Sequence, residues 1–309
     1  MFNVKEGCLK LDNLEMDYIS FGSGTKPLLM LQGLNTRGIK GAGNSLAFMY
    51  RIFAKDYKVW LFDRRKELFD GISVRDMAAD IAAAMDALNI KKADVFAVSQ
   101  GGMIAQYLAI DRPDLLDKLV LAVTLSRNND TVEAVVNNWI DLTEQNRMKG
   151  LVADMAEKMY SDKYLRRYKP LLPLLTVLQK PKDVKRFISL AKACLSCEAY
   201  EELDKIKCPV LVLGGRQDKV VTGDASEEIA EKLGIVPMWL GYMPAGMVLD
   251  SYTIMESTGW ATINYVYDDK LICVQMAKEN AEVSSNVQWD GVCEKIEEIS
   301  NIKNLNIIL

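Results

Sequence analysis

Five short, nearly continuous apolar runs limit what this chain can fold into: "PLLMLQG" (27–33), "YKVWLFD" (57–63), "ADVFAVS" (93–99), "DKLVLAV" (117–123) and "CPVLVLGG" (208–215). A strand that alternates apolar and polar residues has one wet face. A strand that does not alternate must be covered on both faces, as in a mainly parallel sheet flanked by helices. The segments between the runs supply the covers. In "SVRDMAADIAAAMDALNI" (73–90), Val74, Met77, Ile81, Ala84, Met85 and Leu88 form one apolar stripe behind a Ser73 N-cap. Alternation of strand and helix predicts an α/β fold, a doubly wound sheet with crossovers on both faces. The opening stretch from Val4 to Phe21 alternates more and turns at Asp12-Asn13, which predicts an antiparallel hairpin at one sheet edge.

From Leu125 to Leu203 the strand signal stops and helical patterns follow one another, until a strand resumes at Pro209. This predicts a helical cap, 125–203, inserted into a core made of 1–124 and 204–245. Such an insertion covers the carboxyl ends of the strands, where open α/β sheets place their ligands. The remaining segment, 246–309, changes character and is β-rich. "WATINYVYDDKLICVQM" predicts a hairpin around Asp268-Asp269, with Trp260 and Trp289 in a small core of its own, and "VCEKIEEISNIKN" predicts a final helix.

A formal net charge of −4 with both signs interleaved gives no broad positive field, so nucleic acid is not an expected partner. No run of about eighteen apolar residues suggests a membrane span, and the charged amino terminus does not read as a signal peptide. The expectation is a soluble, cytoplasmic protein of undetermined oligomeric state. Its six cysteines are then expected as thiols. Cys194 and Cys197 form a C-x-x-C within a helical pattern, with no second pair to complete a zinc shell, and read as buried small apolar side chains. No metal and no cofactor is expected. Arg64-Arg65-Lys66 reads as a solvated turn, with contact to an anionic substrate as the alternative, and Asp224 reads as the N-cap of "ASEEIAEKLG".

The chemistry centres on "FAVSQGGMIAQ" (96–106), where Ser99 stands between an apolar run and a glycine pair. In a nucleophile elbow, small residues flank the serine because the backbone turns too tightly for larger ones, and Ala97, Ser99 and Gly101 occupy those places. Gly33 with the backbone N–H of Leu34, after an earlier strand, is the candidate for one arm of an oxyanion hole. The N–H of Gln100 is the candidate for the other. Asp218, in the turn after "LVLGG", stands downstream of Ser99 in the order Ser, acid, His.

These segments, "LQGLN", "VWLFDRR", "SVRDMAADIAAAMDALNI", "VSQGGMIAQYLAIDRPDLLDKLVLAV" and "CPVLVLGGRQDKVV", resemble the α/β-hydrolase superfamily, in particular its small bacterial esterase and lactonase-like members with a helical cap. The likeness runs from about Val4 to Leu240. It implies Ser99 as nucleophile, Asp218 as acid, and Leu34 and Gln100 as oxyanion donors, acting on a small ester or lactone through an acyl-enzyme. It also implies a glycine-histidine pair near Tyr242 to Ala245, and the chain contains no histidine at all. Three readings stand side by side. One is a hydrolase impaired by loss of its base, through a shifted reading frame or a fusion beyond about Gly234. Another is a ligand-binding pseudoenzyme. The third is an enzyme with a substitute base, Lys219 or a carboxylate acting through water.

Overall fold

A computed structural model describes residues 2–160, 165–166, 180–235 and 237–239, together with the backbone of four later strands. Two compact units divide the chain, Met1–Leu240 and Gly241–Leu309. The first contains an eight-stranded sheet. Its strands are β1 (Lys5–Leu11), β2 (Leu14–Phe21), β3 (Lys26–Leu31), β4 (Tyr57–Phe62), β5 (Ala93–Val98), β6 (Leu116–Ala122), β7 (Val210–Gly214) and β8 (Met238–Trp239). Their spatial order is β1-β2-β4-β3-β5-β6-β7-β8. The hairpin expected at the amino terminus is the antiparallel β1–β2 pair, closed at Leu11 and Leu14. β2 joins β4 antiparallel, and every pair from β4 to β8 is parallel.

This order creates a crevice. The chain leaves β3 toward one side of the sheet to form β4, then crosses back over β3 to form β5 on the other side. Connections leaving β3 and β5 therefore diverge, which opens a ligand-sized gap at their carboxyl ends. Leu31 pairs with Ala97 at that edge, so Gly33 and Ser99 emerge side by side.

The helices bury the faces that the sequence marks as apolar. Helix α1 spans Gly43–Met49, and α2 spans Val74–Ala87. Ser73 caps α2 through a reciprocal box: its Oγ accepts the Asp76 N–H at 3.1 Å, and Asp76 accepts the Ser73 N–H at 2.8 Å. Val74, Met77, Ile81, Ala84 and Met85 are buried in the main core as expected, and Leu88 packs against it half-buried. Helix α3 (Gln100–Asp111) is buried on every side from Gln100 to Ile110, sandwiched between the sheet and α2.

Among the described residues the inserted region holds α4 (Asp130–Glu144), α5 (Met148–Met159) and α6 (Val184–Cys194). Val135, Trp139, Leu142, Leu151, Met155 and Phe187 form its own small core. Helix α7 (Gly223–Leu233) follows β7, and here one expectation is corrected. Thr222 is the N-cap residue and Asp224 lies inside the first turn, where its charge complements the helix dipole instead of capping.

In the second unit β9 (Val248–Met255), β10 (Trp260–Tyr267), β11 (Lys270–Ala277) and β12 (Leu305–Ile308) form an antiparallel sheet in the order β12-β11-β10-β9. The β10–β11 pair, Tyr267 opposite Lys270, is the hairpin expected around Asp268-Asp269. The expected final helix, Trp289 and the side chain of Trp260 lie outside the described residues. Among the described residues no helix is long and apolar enough to cross a membrane.

Candidate active site

The parallel strands deliver their carboxyl ends to one edge, and the predicted site residues are distributed along it. Ser99 follows β5 directly. Its backbone holds φ 52° and ψ −123°, a conformation sparsely populated by any residue with a Cβ. Neighbouring backbone enforces that turn. The Ser99 N–H donates to the Ala122 carbonyl at 3.0 Å, continuing the β5–β6 ladder. The Ser99 carbonyl accepts the N–H groups of Gly102 at 2.7 Å and Met103 at 3.2 Å, and the Thr124 hydroxyl at 2.8 Å. Strand and helix thus meet at one residue, leaving the Ser99 side chain half-buried and, among the described residues, without a hydrogen-bond partner.

Two glycines make the meeting sterically possible. A Cβ on Gly101 would stand 2.2 Å from the Leu31 carbonyl oxygen and 2.7 Å from that of Gln32, so α3 can start this close to β3 only with glycine there. A Cβ on Gly33 would stand 3.2 Å from the Ser99 Cβ, which places the turn after β3 directly against the serine. Leu34 follows, half-buried, with its side chain packed between the main core and that of the cap. Among the described residues the backbone N–H groups of Leu34 and Gln100 have no acceptor. Both belong to the two segments that meet at Ser99.

Asp218 lies in the turn after β7, two strands along from β5, an interval of about 10 Å at ordinary strand spacing. Its Oδ1 accepts the N–H groups of Val220 at 2.7 Å and Val221 at 2.9 Å. Among the described residues the second oxygen has no hydrogen-bond partner. Lys219 beside it is exposed, so the burial that a neutral lysine base requires is missing. Residues 240–247, which include Tyr242 to Ala245, lie outside the described residues.

The expectation of a solvated Arg64-Arg65-Lys66 turn is corrected for Arg64 and Arg65, while Lys66 is exposed. Arg64 is 3% exposed. Its Nη2 donates to the Gln32 carbonyl at 2.7 Å and to Gln100 Oε1 at 3.3 Å, and its Nε reaches the same Oε1 at 3.4 Å. Arg65 is largely buried and paired with Asp80 through two hydrogen bonds, at 2.7 and 2.5 Å. Burial pushes the Arg64 guanidinium down to about 10, against the pull of Asp63. The signal in the sequence was position: charges directly after a buried strand stand at the ligand edge of such a sheet, under whatever covers it.

The cap is bolted to this edge through α6. Gln100 Nε2 donates to the Leu190 carbonyl at 2.6 Å and to Cys194 Sγ at 3.1 Å. Arg186 donates to the carbonyls of Arg64, Arg65 and Lys66 at 3.0, 2.6 and 3.1 Å, and lies 3.6 Å from the Asp63 carboxylate. Arg186 had no marker in the sequence beyond its place in a helical pattern. Cys194 and Cys197 are both buried, and that burial raises their thiols to about 11 and about 12. Beside α6 a cavity of about 60 Å³ opens between the 35–38 turn and Lys182, Asp183, Arg186, Phe187 and Leu190.

Comparison with known proteins gives a consistent result. A family model described as the alpha/beta hydrolase fold matches residues 26–240. The protein named "Putative carbamate hydrolase RutD" from Caulobacter sp. (strain K31) is 28% identical over 207 residues, 63% of this chain and 76% of that protein. The 3-oxoadipate enol-lactonase 2 of Acinetobacter baylyi is 22% identical over 230 residues, 72% of this chain and 82% of that one. Among solved structures, the enol-lactonase from Burkholderia xenovorans LB400 superposes with a TM-score of 0.66 at 19% identity, covering 76% of this chain and 91% of that chain. With the family model matched over most of its length, the chain belongs to the alpha/beta hydrolase fold family.

Proposed function

We propose that this chain is a serine hydrolase of the ester and lactone type, working through an acyl-enzyme and impaired by the absence of histidine. The observation that carries the reading is the conformation of Ser99, held at φ 52° and ψ −123° between β5 and α3 with Gly33 packed against it. Backbone strain of this kind costs on the order of 1–3 kcal/mol and persists where the surroundings enforce it. The turn leaves the Ser99 side chain half-buried at the carboxyl edge of the sheet, without a hydrogen-bond partner among the described residues.

In the reaction, Ser99 Oγ bonds to the substrate carbonyl carbon as its proton passes through water to the Asp218 carboxylate, and the oxygen that gains charge is received by the N–H groups of Leu34 and Gln100. The bond to the leaving alkoxide then breaks, the alkoxide takes up a proton, and water releases the acid from the ester on Ser99. In a complete triad imidazole carries that proton. Here the free oxygen of Asp218, acting through water, takes that part. Loss of one triad member lowers turnover by about 10⁴ to 10⁶ and leaves roughly 10³ to 10⁴ over water from oxyanion donors and binding. A carbamate hydrolase and lactonases among the relatives support a small acyl substrate for this chain.

The missing histidine favours a second reading, a pseudoenzyme that binds such a ligand without turning it over. Steady-state hydrolysis of p-nitrophenyl acetate separates the two. The hydrolase reading expects a slow protein-dependent rate that Ser99→Ala and Asp218→Asn both lower, Ser99→Ala down to the background left by the oxyanion donors and binding. Rates equal in all three proteins would leave the binding reading.

A further inference from the structure

Arg64 is out of proportion to any structural need. Burying a guanidinium is costly unless its donors are all matched, and a buried donor left unmatched costs on the order of 1–3 kcal/mol. Arg64 is 3% exposed, yet its Nη1 is buried and has no hydrogen-bond partner among the described residues. The charges around it do not cancel. Asp63 is the nearby carboxylate, and it is shared with the guanidinium of Arg186, while the Cys194 thiol is kept neutral by burial. Among the described residues, two cations therefore face one anion.

The location of the guanidinium gives this imbalance a use. Its acceptors are the Gln32 carbonyl and the Gln100 side chain. Gln32 directly precedes Gly33 and Leu34, the first arm of the oxyanion hole, and Gln100 is the second arm. The Gln32 carbonyl oxygen in turn stands 2.7 Å from the place a Cβ would take on Gly101, in the first turn of α3. The guanidinium thus touches a residue of each arm, the Gln32 carbonyl two positions before Leu34 and the side chain of Gln100 at the start of α3, where its charge adds to the positive end of that helix dipole.

We infer that Arg64 is a positioning residue of this site, which locks the two arms of the oxyanion hole in register and holds a positive potential at the Ser99 hydroxyl. The inference rests on reading Ser99, Leu34 and Gln100 as the reacting corner. Its action runs through Gln100 and Gln32, and no contact with substrate is needed.

A thiol placed at position 99 reads that potential directly and needs no acyl transfer. The test follows alkylation of the Ser99→Cys protein by iodoacetamide against pH, with the modified peptide quantified by mass spectrometry so that the native cysteines do not interfere. With Arg64 present, the thiol at 99 titrates well below the usual value of about 8.5. Adding Arg64→Met raises it by about one pH unit or more, the size expected when a buried charge is removed from beside the first turn of α3. Arg64→Lys, which keeps the charge and loses the fork, leaves it low. Where the methionine variant does not fold, Arg64→Gln, which retains a donor for the Gln32 carbonyl, takes its place with the same expected rise.

A purely structural Arg64 would lower thermal stability on substitution and leave the titration where it was. Titration midpoints that agree within about 0.2 pH units with and without Arg64 overturn the inference. A Ser99 hydroxyl that never takes up an acyl group overturns the hydrolase reading instead, and the thiol titration is unaffected by that outcome.

Discussion

At the scale of single residues, the site is built from backbone strain and close approach. Ser99 holds a conformation that glycine adopts without a Cβ penalty. Ser99→Gly is therefore expected to stabilise the fold by about 1 kcal/mol, seen as a higher urea midpoint with unchanged slope. An unchanged or lower midpoint would mean that the turn is relaxed in the native protein. Gly101→Ala has the opposite sign, because its methyl would enter the Leu31 backbone. It is expected to cost about 1–3 kcal/mol as β3 and α3 are pushed apart, with the midpoint falling accordingly. Both positions were legible in the sequence, since a small-x-Ser-x-Gly pattern after a buried strand states the steric requirement outright. Arg64 was not. A charged triplet after a strand is usually solvated, and only the packing of α6 over that strand end encloses it.

At the scale of elements, the sheet order and the α6 clamp do most to define the site. Strands β3 to β6 were readable because burial on both faces thins the polar alternation in their sequences, and β7 was readable from its apolar run although Leu211 is exposed. The hairpin β1–β2 was readable because its edge position restores it. What the sequence did not carry was the attachment of the cap. Arg186 reaches three successive carbonyls of the 64–66 turn, and Gln100 reaches Leu190 and Cys194. Those partners lie 90 or more positions apart in the chain, where local pattern has nothing to say. Arg186→Met removes charge-assisted hydrogen bonds worth about 1.5–3 kcal/mol each in favourable settings. Its expected signature is faster amide hydrogen exchange across Val184–Cys194, with α2 and the central strands unchanged. Uniformly faster exchange would show that α6 opens only with the whole fold.

At the scale of the whole molecule, stability should be bounded by ionisation on both sides of neutrality. Asp86 and Asp114 are held below their ordinary values by hydrogen bonds to Arg112, Asp117 by Lys26, and Glu202 by Lys205 and Arg75. Because the folded state binds these protons less readily than the unfolded chain, their contribution is complete above about pH 5 and is lost as pH falls through the lowered values. These pairs are largely solvent-exposed, so the acid flank is shallow. The alkaline flank has another origin. Burial raises Cys194 from 9.0 to about 11 and Cys197 from 9.0 to about 12, so unfolded thiols ionise first and stability declines as pH rises above about 9. Melting temperatures measured from pH 4 to 11 should form a plateau with these two edges, and Cys197→Ala should soften the upper one. An upper edge identical in that variant would assign it to other groups. The sheet β9–β12 belongs to a separate unit, and the chain that precedes it in sequence contains no histidine.

Ser99 as an acylable hydroxyl facing two backbone donors is the central claim, and covalent labelling tests it most directly. The protein, incubated with excess fluorophosphonate for hours to allow for the missing base, is analysed by intact mass and peptide mapping. The expected result is a single adduct on Ser99, absent from the Ser99→Ala protein. No adduct, or one that persists in Ser99→Ala, would contradict it.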